Sequence, residues 1–218
     1  MAIAGIVLGA VALLVALGVE WLKRPQLEVR ATDWRATGPV PWVFAAVEIH
    51  NRPLSWPLRL LVTRNSADGC EVTLEFRRQG EKALAISEVP ARWSGHPQPI
   101  RSVPVIKTSE SSGGGAVEVD FLPHYDPTMV PGTVRFDVPA TEAGQEVALA
   151  VLREDGTAHA WGAESYAYPA WKNPNWALER RRYEVTVKVR ASGISTSARF
   201  ILDNLASDFA RFSRLEPA

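Results

Sequence analysis

Two stretches of the sequence alternate apolar and polar residues with a strict period of two. In CEVTLEFR, residues 70–77, Cys70, Val72, Leu74 and Phe76 fall on one side and Glu71, Thr73, Glu75 and Arg77 on the other. In YEVTVKVR, residues 183–190, Tyr183, Val185, Val187 and Val189 oppose Glu184, Thr186, Lys188 and Arg190. Successive side chains of a strand point to opposite faces of a sheet, so each stretch reads as a half-buried antiparallel strand. Weaker versions occur at 27–31, 43–51, 117–122, 134–138, 147–153 and 198–204, with turn signals such as RRQGEK, ATEAGQ, REDGT and RASGIS between several of them. This pattern predicts an all-β, antiparallel β-sandwich over residues 25–218, with long loops at 51–69, 107–116 and 154–182.

The first part of the chain has a different character. Residues 2–19, AIAGIVLGAVALLVALGV, carry no charge over 18 positions, and ten of them are Ile, Leu or Val. As a helix this run measures about 27 Å, and Leu22 extends it toward the thickness of a hydrocarbon layer. Those ten side chains favour insertion by roughly 3–6 kcal/mol. The run is apolar all round, unlike a surface helix, which shows a polar face. Trp21 stands where an interfacial aromatic belongs, and Lys23 and Arg24 follow at once. The run lacks both the basic start and the small-residue cleavage pattern of a signal peptide. Residues 1–24 are therefore expected to be a single-pass signal-anchor and its basic flank. The positive-inside rule places the following domain in the cytoplasm, with the outside of the membrane as the alternative. Gly5 and Gly9 form a G-x-x-x-G, a spacing that lets two helices approach closely but that arises readily by chance in a Gly/Ala-rich span.

With 218 residues, 46% hydrophobic and 22% charged, the chain can bury a core. Its 24 basic residues balance 24 acidic ones, so no overall field draws it to nucleic acid, and none is expected as a partner. The preference for Arg over Lys and the abundance of Ala suggest a GC-rich bacterial source. Cys70 is the only cysteine, so no intrachain disulfide and no thiolate metal cluster are expected. It lies on the apolar face of the best-patterned strand, where a buried thiol is a better reading than a nucleophile. His50, His96, His124 and His159 are scattered, and no pair has the spacing that aims two imidazoles at one metal. Asp120, His124 and Asp126 in DFLPHYD are the nearest approach to a ligand cluster, but the local prolines favour a hydrogen-bonded turn. No Walker loop, dinucleotide fingerprint or nucleophile elbow is present. Neither an enzyme nor a cofactor is expected.

Two loops carry candidate contact residues. In NRPLSWPLRLLVTR, residues 51–64, the cations Arg52, Arg59 and Arg64 accompany Trp56 and several leucines without an acidic residue. Facing a bilayer, the arginines would meet headgroups while Trp56 enters the interface; facing inward, the leucines would plug one end of the sandwich. In SYAYPAWKNPNWALERRRY, residues 165–183, the rings of Tyr166, Tyr168, Trp171 and Trp176 precede Arg180, Arg181 and Arg182. They suit either a protein-partner surface or a long crossover covering the sandwich end, with the arginines solvated. The Ser/Gly run SESSGGG, residues 109–115, reads as a loop within one domain, because the strongest strands lie on opposite sides of it. In the tail, Leu205, Phe209 and Phe212 fall at helical spacing behind Asn204, which predicts a short closing helix capped by that residue.

The apolar start followed by Leu27, Val29, VEIHN, ARWS at 91–94 and NPNWAL leading into YEVTVKV resembles uncharacterised single-pass bacterial membrane proteins with an immunoglobulin-like β-sandwich. The resemblance implies the fold and the anchoring and transfers no site. The paired cysteines of antibody domains are absent. The expected function is a membrane-anchored, non-catalytic sandwich presenting loops for protein contact. The alternative is an extracytoplasmic carbohydrate or cell-envelope-binding module.

Overall fold

A computed structural model describes residues 2–32, 42–109, 116–205 and 208–218, and of residues 2–8, 107–109 and 116–118 the backbone only. Gly5 of the G-x-x-x-G falls in a backbone-only part, and residues 110–115 of the Ser/Gly run lie outside the described residues. Helix α1, Ala2–Lys23, opens the chain. Each residue from Gly9 to Gly18 is exposed, so among the described residues no other part of the protein covers this stretch. Counted over the residues whose side chains are described, which in α1 are 9–23, no helix is long and apolar enough to cross a membrane.

The rest is all-β, and every pairing among the described strands is antiparallel. One sheet holds β1 (Leu27–Thr32), β2 (Trp42–Asn51), β8 (Gln145–Arg153), β9 (Ala158–Ala160) and β10 (Ala177–Leu178), in that order. A second runs β13 (Glu216–Pro217), β12 (Ile194–Asp203), β11 (Arg182–Ala191), β3 (Ala67–Arg78) and β4 (Leu84–Pro90), with β7 (Arg135–Val138) paired to the start of β3. The remaining pair, β5 (Ile100–Ser109) and β6 (Ala116–Tyr125), forms a ribbon of ten residue pairs. Helix α2, Val130–Val134, leads into β7, and helix α3, Phe209–Ser213, lies near the C-terminus.

The two larger sheets enclose one core. From β3 and β11 come Val72, Leu74, Phe76, Tyr183, Val185, Val187 and Val189, the residues singled out by the alternation; β2 and β8 supply Val47, Ile49, Leu149 and Leu152. Trp93 and Phe212 fill it further, being 1% and 0% exposed. Both long strands therefore face inward as their pattern predicts.

Strand β8 departs from simple alternation. A register shift against Ala45 and Ala46 of β2 places Leu149 and Ala150, neighbours in sequence, both in the main core. The bulge reverses the strand's parity, so Ala148 and Val151 point to the outer face of the sheet. That face is apolar and needs cover. Trp161 and Tyr166 bury themselves on it, with Trp42, Phe44, Ile100, Tyr125 and Trp171 around them.

The tail corrects one expectation. Helix α3 starts at Phe209, and Asp208 caps it by accepting from the Ala210 amide at 2.9 Å. Asn204 instead is buried and donates to the Leu178 and Glu179 carbonyls at 3.3 and 2.8 Å, while Leu205 is 52% exposed. A buried Asn that already satisfies two strand-end carbonyls is committed there and does not serve as a helix cap.

Candidate functional site

The aromatic segment is split between surface and interior. Tyr166 is 6% exposed and packs against Trp161 at 5.4 Å and Trp171 at 5.0 Å between ring centroids. Trp176, 8% exposed, belongs to the main core. Tyr168 and Trp171 are half-buried. The four rings thus do not form one exposed platform, because two of them are needed to close apolar surfaces of the sheet. Trp171 also meets Trp42 edge-on at 5.2 Å, over which the guanidinium of Arg153 sits 4.3 Å from the ring centroid. Arg153 is 3% exposed and donates to the Trp171 carbonyl at 3.1 Å. The arginine run is largely paired: Arg182 reaches Asp203 through two nitrogens at 3.0 and 3.1 Å, and Arg181 meets Glu81 and Glu179.

The β5–β6 ribbon carries the apolar surface that the aromatic segment lacks. Its register pairs Ile100 with Tyr125, Pro104 with Phe121 and Ile106 with Val119, all on one face. At the base, Ile100 and Tyr125 pack on the outer aromatic cluster. Further out, Phe121, Ile106 and Val119 are 64%, 67% and 52% exposed. The pair Ser102 and Pro123 separates this outer part from the base, and no element among the described residues covers it.

A third surface gathers where α1 ends. The Asn65 amide donates to the Lys23 carbonyl, and the Arg52 amide to the Gln26 carbonyl, both at 2.9 Å. Asn51, 0% exposed, accepts from the Gln26 amide at 3.0 Å and donates to the carbonyls of Asn65 and Val138 at 2.9 and 3.2 Å. The loop 52–65 is thereby fixed beside the helix end. Of its apolar side chains Leu54 is buried; Trp56, Leu60 and Leu61 stand out. Arg52 and Arg59 are exposed, and Arg64 is half-buried and donates to the Arg52 carbonyl at 2.7 Å. Trp21 is exposed, Lys23 pairs with Glu20 at 2.9 Å, and Arg24 is exposed. The residues expected at a membrane interface therefore lie around one end of the sandwich. A groove of about 430 Å³ opens there between Arg30, Arg52, Trp56, Arg59 and Glu142. No signal in the sequence marked Asn51 as the residue joining helix, loop and β7, because its partners are backbone atoms distant in the chain.

The remaining titratable groups read as structural. Cys70 is buried, donates its Sγ hydrogen to the Ala67 carbonyl at 3.1 Å, and has its thiol pushed up to about 11, chiefly by burial. Asp126 turns the chain after β6, accepting from the Thr128 amide and hydroxyl at 2.9 and 2.6 Å, and these bonds hold its carboxyl below the usual range. Strand β6 runs through Pro123 and His124 to Tyr125, so the turn expected at DFLPHYD begins only at Asp126. Among the described residues, no group of three His, Cys, Asp or Glu is arranged to hold a metal ion. No protein-family model, curated protein or solved structure matches the chain.

Proposed function

We propose that the chain is a membrane-anchored, non-catalytic module whose β-sandwich presents loops for protein contact, with the β5–β6 ribbon as its main presenting element. The bare apolar stripe of Ile106, Val119 and Phe121 carries this reading. An exposed apolar patch of this kind is characteristic of a surface covered in an assembly. The half-buried Trp171 packs on the same cluster as Ile100 and Tyr125 at the ribbon's base.

Anchoring is supported by the sequence of α1 and by the exposure of its described side chains. Its 22 residues correspond to about 33 Å of helix, matching a hydrocarbon layer of about 30 Å. Lys23 and Arg24 at its end favour a cytoplasmic sandwich. Two antiparallel sheets over a Trp-containing core support an immunoglobulin-like classification.

The test recovers proteins bound to the full chain from detergent-solubilised membranes. A specific partner retained by the unchanged chain and by Leu205→Ser, but lost with Phe121→Asp, is the expected result; equal recovery by all three overturns the ribbon as the contact. A reporter fused after Ala218 and active only outside the cytoplasm overturns the orientation and favours the cell-envelope-binding alternative.

A further inference from the structure

The loop 52–65 combines three properties that a folded domain rarely places together on a free surface. Trp56, Leu60 and Leu61 are 69%, 70% and 80% exposed. Arg52, Arg59 and Arg64 lie on the same loop, with Arg30 across the groove. The loop is also held against the end of α1 by the Lys23–Asn65 and Gln26–Arg52 backbone bonds and by the buried Asn51. The third property decides the occupant. If α1 crosses a bilayer, whatever covers this loop sits at the level of the headgroups through which the chain emerges beside Trp21.

We propose that the turn 56–61 is a second membrane contact, in which Trp56, Leu60 and Leu61 enter the headgroup and acyl boundary of the leaflet from which α1 exits, while Arg52 and Arg59 meet anionic headgroup phosphates. The proposal rests on the anchoring reading above. Its chemistry is that of an interfacial segment: apolar side chains leave water, an indole occupies the boundary it favours, and guanidiniums bind phosphate. The existing partners of the two arginines, Glu28 at 3.4 Å from Arg52 and Glu142 at 4.0 Å from Arg59, are ion pairs between solvent-exposed side chains. Such pairs contribute little and are readily exchanged for phosphate. With helix and turn seated together, the sandwich has one fixed orientation on the membrane.

The full chain is reconstituted into phosphatidylcholine and phosphatidylglycerol vesicles. Single cysteines at Leu60→Cys, Leu61→Cys and, at the opposite end of the sandwich, Glu154→Cys carry an environment-sensitive fluorophore; Cys70 is buried and does not compete for the label. The expected result is blue-shifted emission at 60 and 61, quenched by nitroxide placed at the headgroup and upper acyl level, and solvent-like, unquenched emission at 154. If the chain resists carbonate extraction but labels at 60 and 61 behave like that at 154, the second contact is overturned and the anchor stands. If carbonate extracts the chain, anchoring fails and the second contact falls with it.

Discussion

Gly162 is extended backbone, and what excludes a larger residue there is space. A Cβ at this position would lie 2.4 Å from the Pro90 carbonyl oxygen, 3.2 Å from Val89 and 3.3 Å from the Trp176 ring. The oxygen is backbone and cannot swing aside, so Gly162→Ala is expected to cost about 1–3 kcal/mol as the aromatic segment lifts from the sheet. Gly95→Ala, with nothing within 4 Å, is the control that should stay near zero. Melting in detergent followed by near-ultraviolet circular dichroism reads both, since the rings that move are the chromophores. His159 offers a second test. Burial, reinforced by Arg153 and Lys172 and opposed by Asp155, holds its imidazole below the usual 6.5. The unfolded chain therefore takes up this proton first as pH falls, and stability declines below pH 6.5 until the folded value is reached. That decline has a slope of at most about 1.4 kcal/mol per pH unit from this group. His159→Gln should flatten the acid side of the profile; an unchanged slope would show that the imidazole charges equally in both states.

At the scale of elements, the ribbon separates into a structural base and an open end. Phe121→Asp changes a side chain already in water and is expected to leave the melting temperature within about 2 °C, a surface substitution being worth roughly 0.5 kcal/mol or less. Tyr125→Asp, in the packed base, should lower it clearly. Equal losses at both positions would mean that the ribbon's outer face is covered in the isolated protein. Strand β6 was legible in the sequence from the alternation of Val117, Val119 and Phe121, but its partner β5 was not, since Pro104 interrupts a weak pattern. Strand β4 was missed for a related reason: Glu88 takes a positive φ of 54° and breaks the period before Pro90. Strands β3 and β11 were plain because each has a wet face and a dry one. In β8 the apolar run Val147 to Leu152 announced a strand but hid its bulge, and with it the outer cluster that draws Tyr166 inward. The residues expected at a membrane interface were readable as a composition. Their convergence at one end depends on contacts between residues 23–26 and 51–65, which pattern alone does not reveal.

At the helix end of the molecule one buried side chain, Asn51, joins the Lys23–Asn65 and Gln26–Arg52 backbone bonds in tying residues 23–26 to the loop and β7. Asn51→Ala leaves the Gln26 amide and the Asn65 and Val138 carbonyls without their partner, at a cost of about 1–3 kcal/mol. Hydrogen exchange should then rise at Gln26 while β11, deep in the second sheet, keeps its protection; uniform acceleration would instead mark global destabilisation. The junction has a mechanical meaning too. A flexible linker would let the sandwich turn freely about the end of α1, so that neither part felt the other's angle. Tied at residues 23–26 by Asn51 and by the Lys23–Asn65 and Gln26–Arg52 backbone bonds, the helix end is expected to pass a tilt on to the sandwich, and a sideways pull on the ribbon to arrive there as torque.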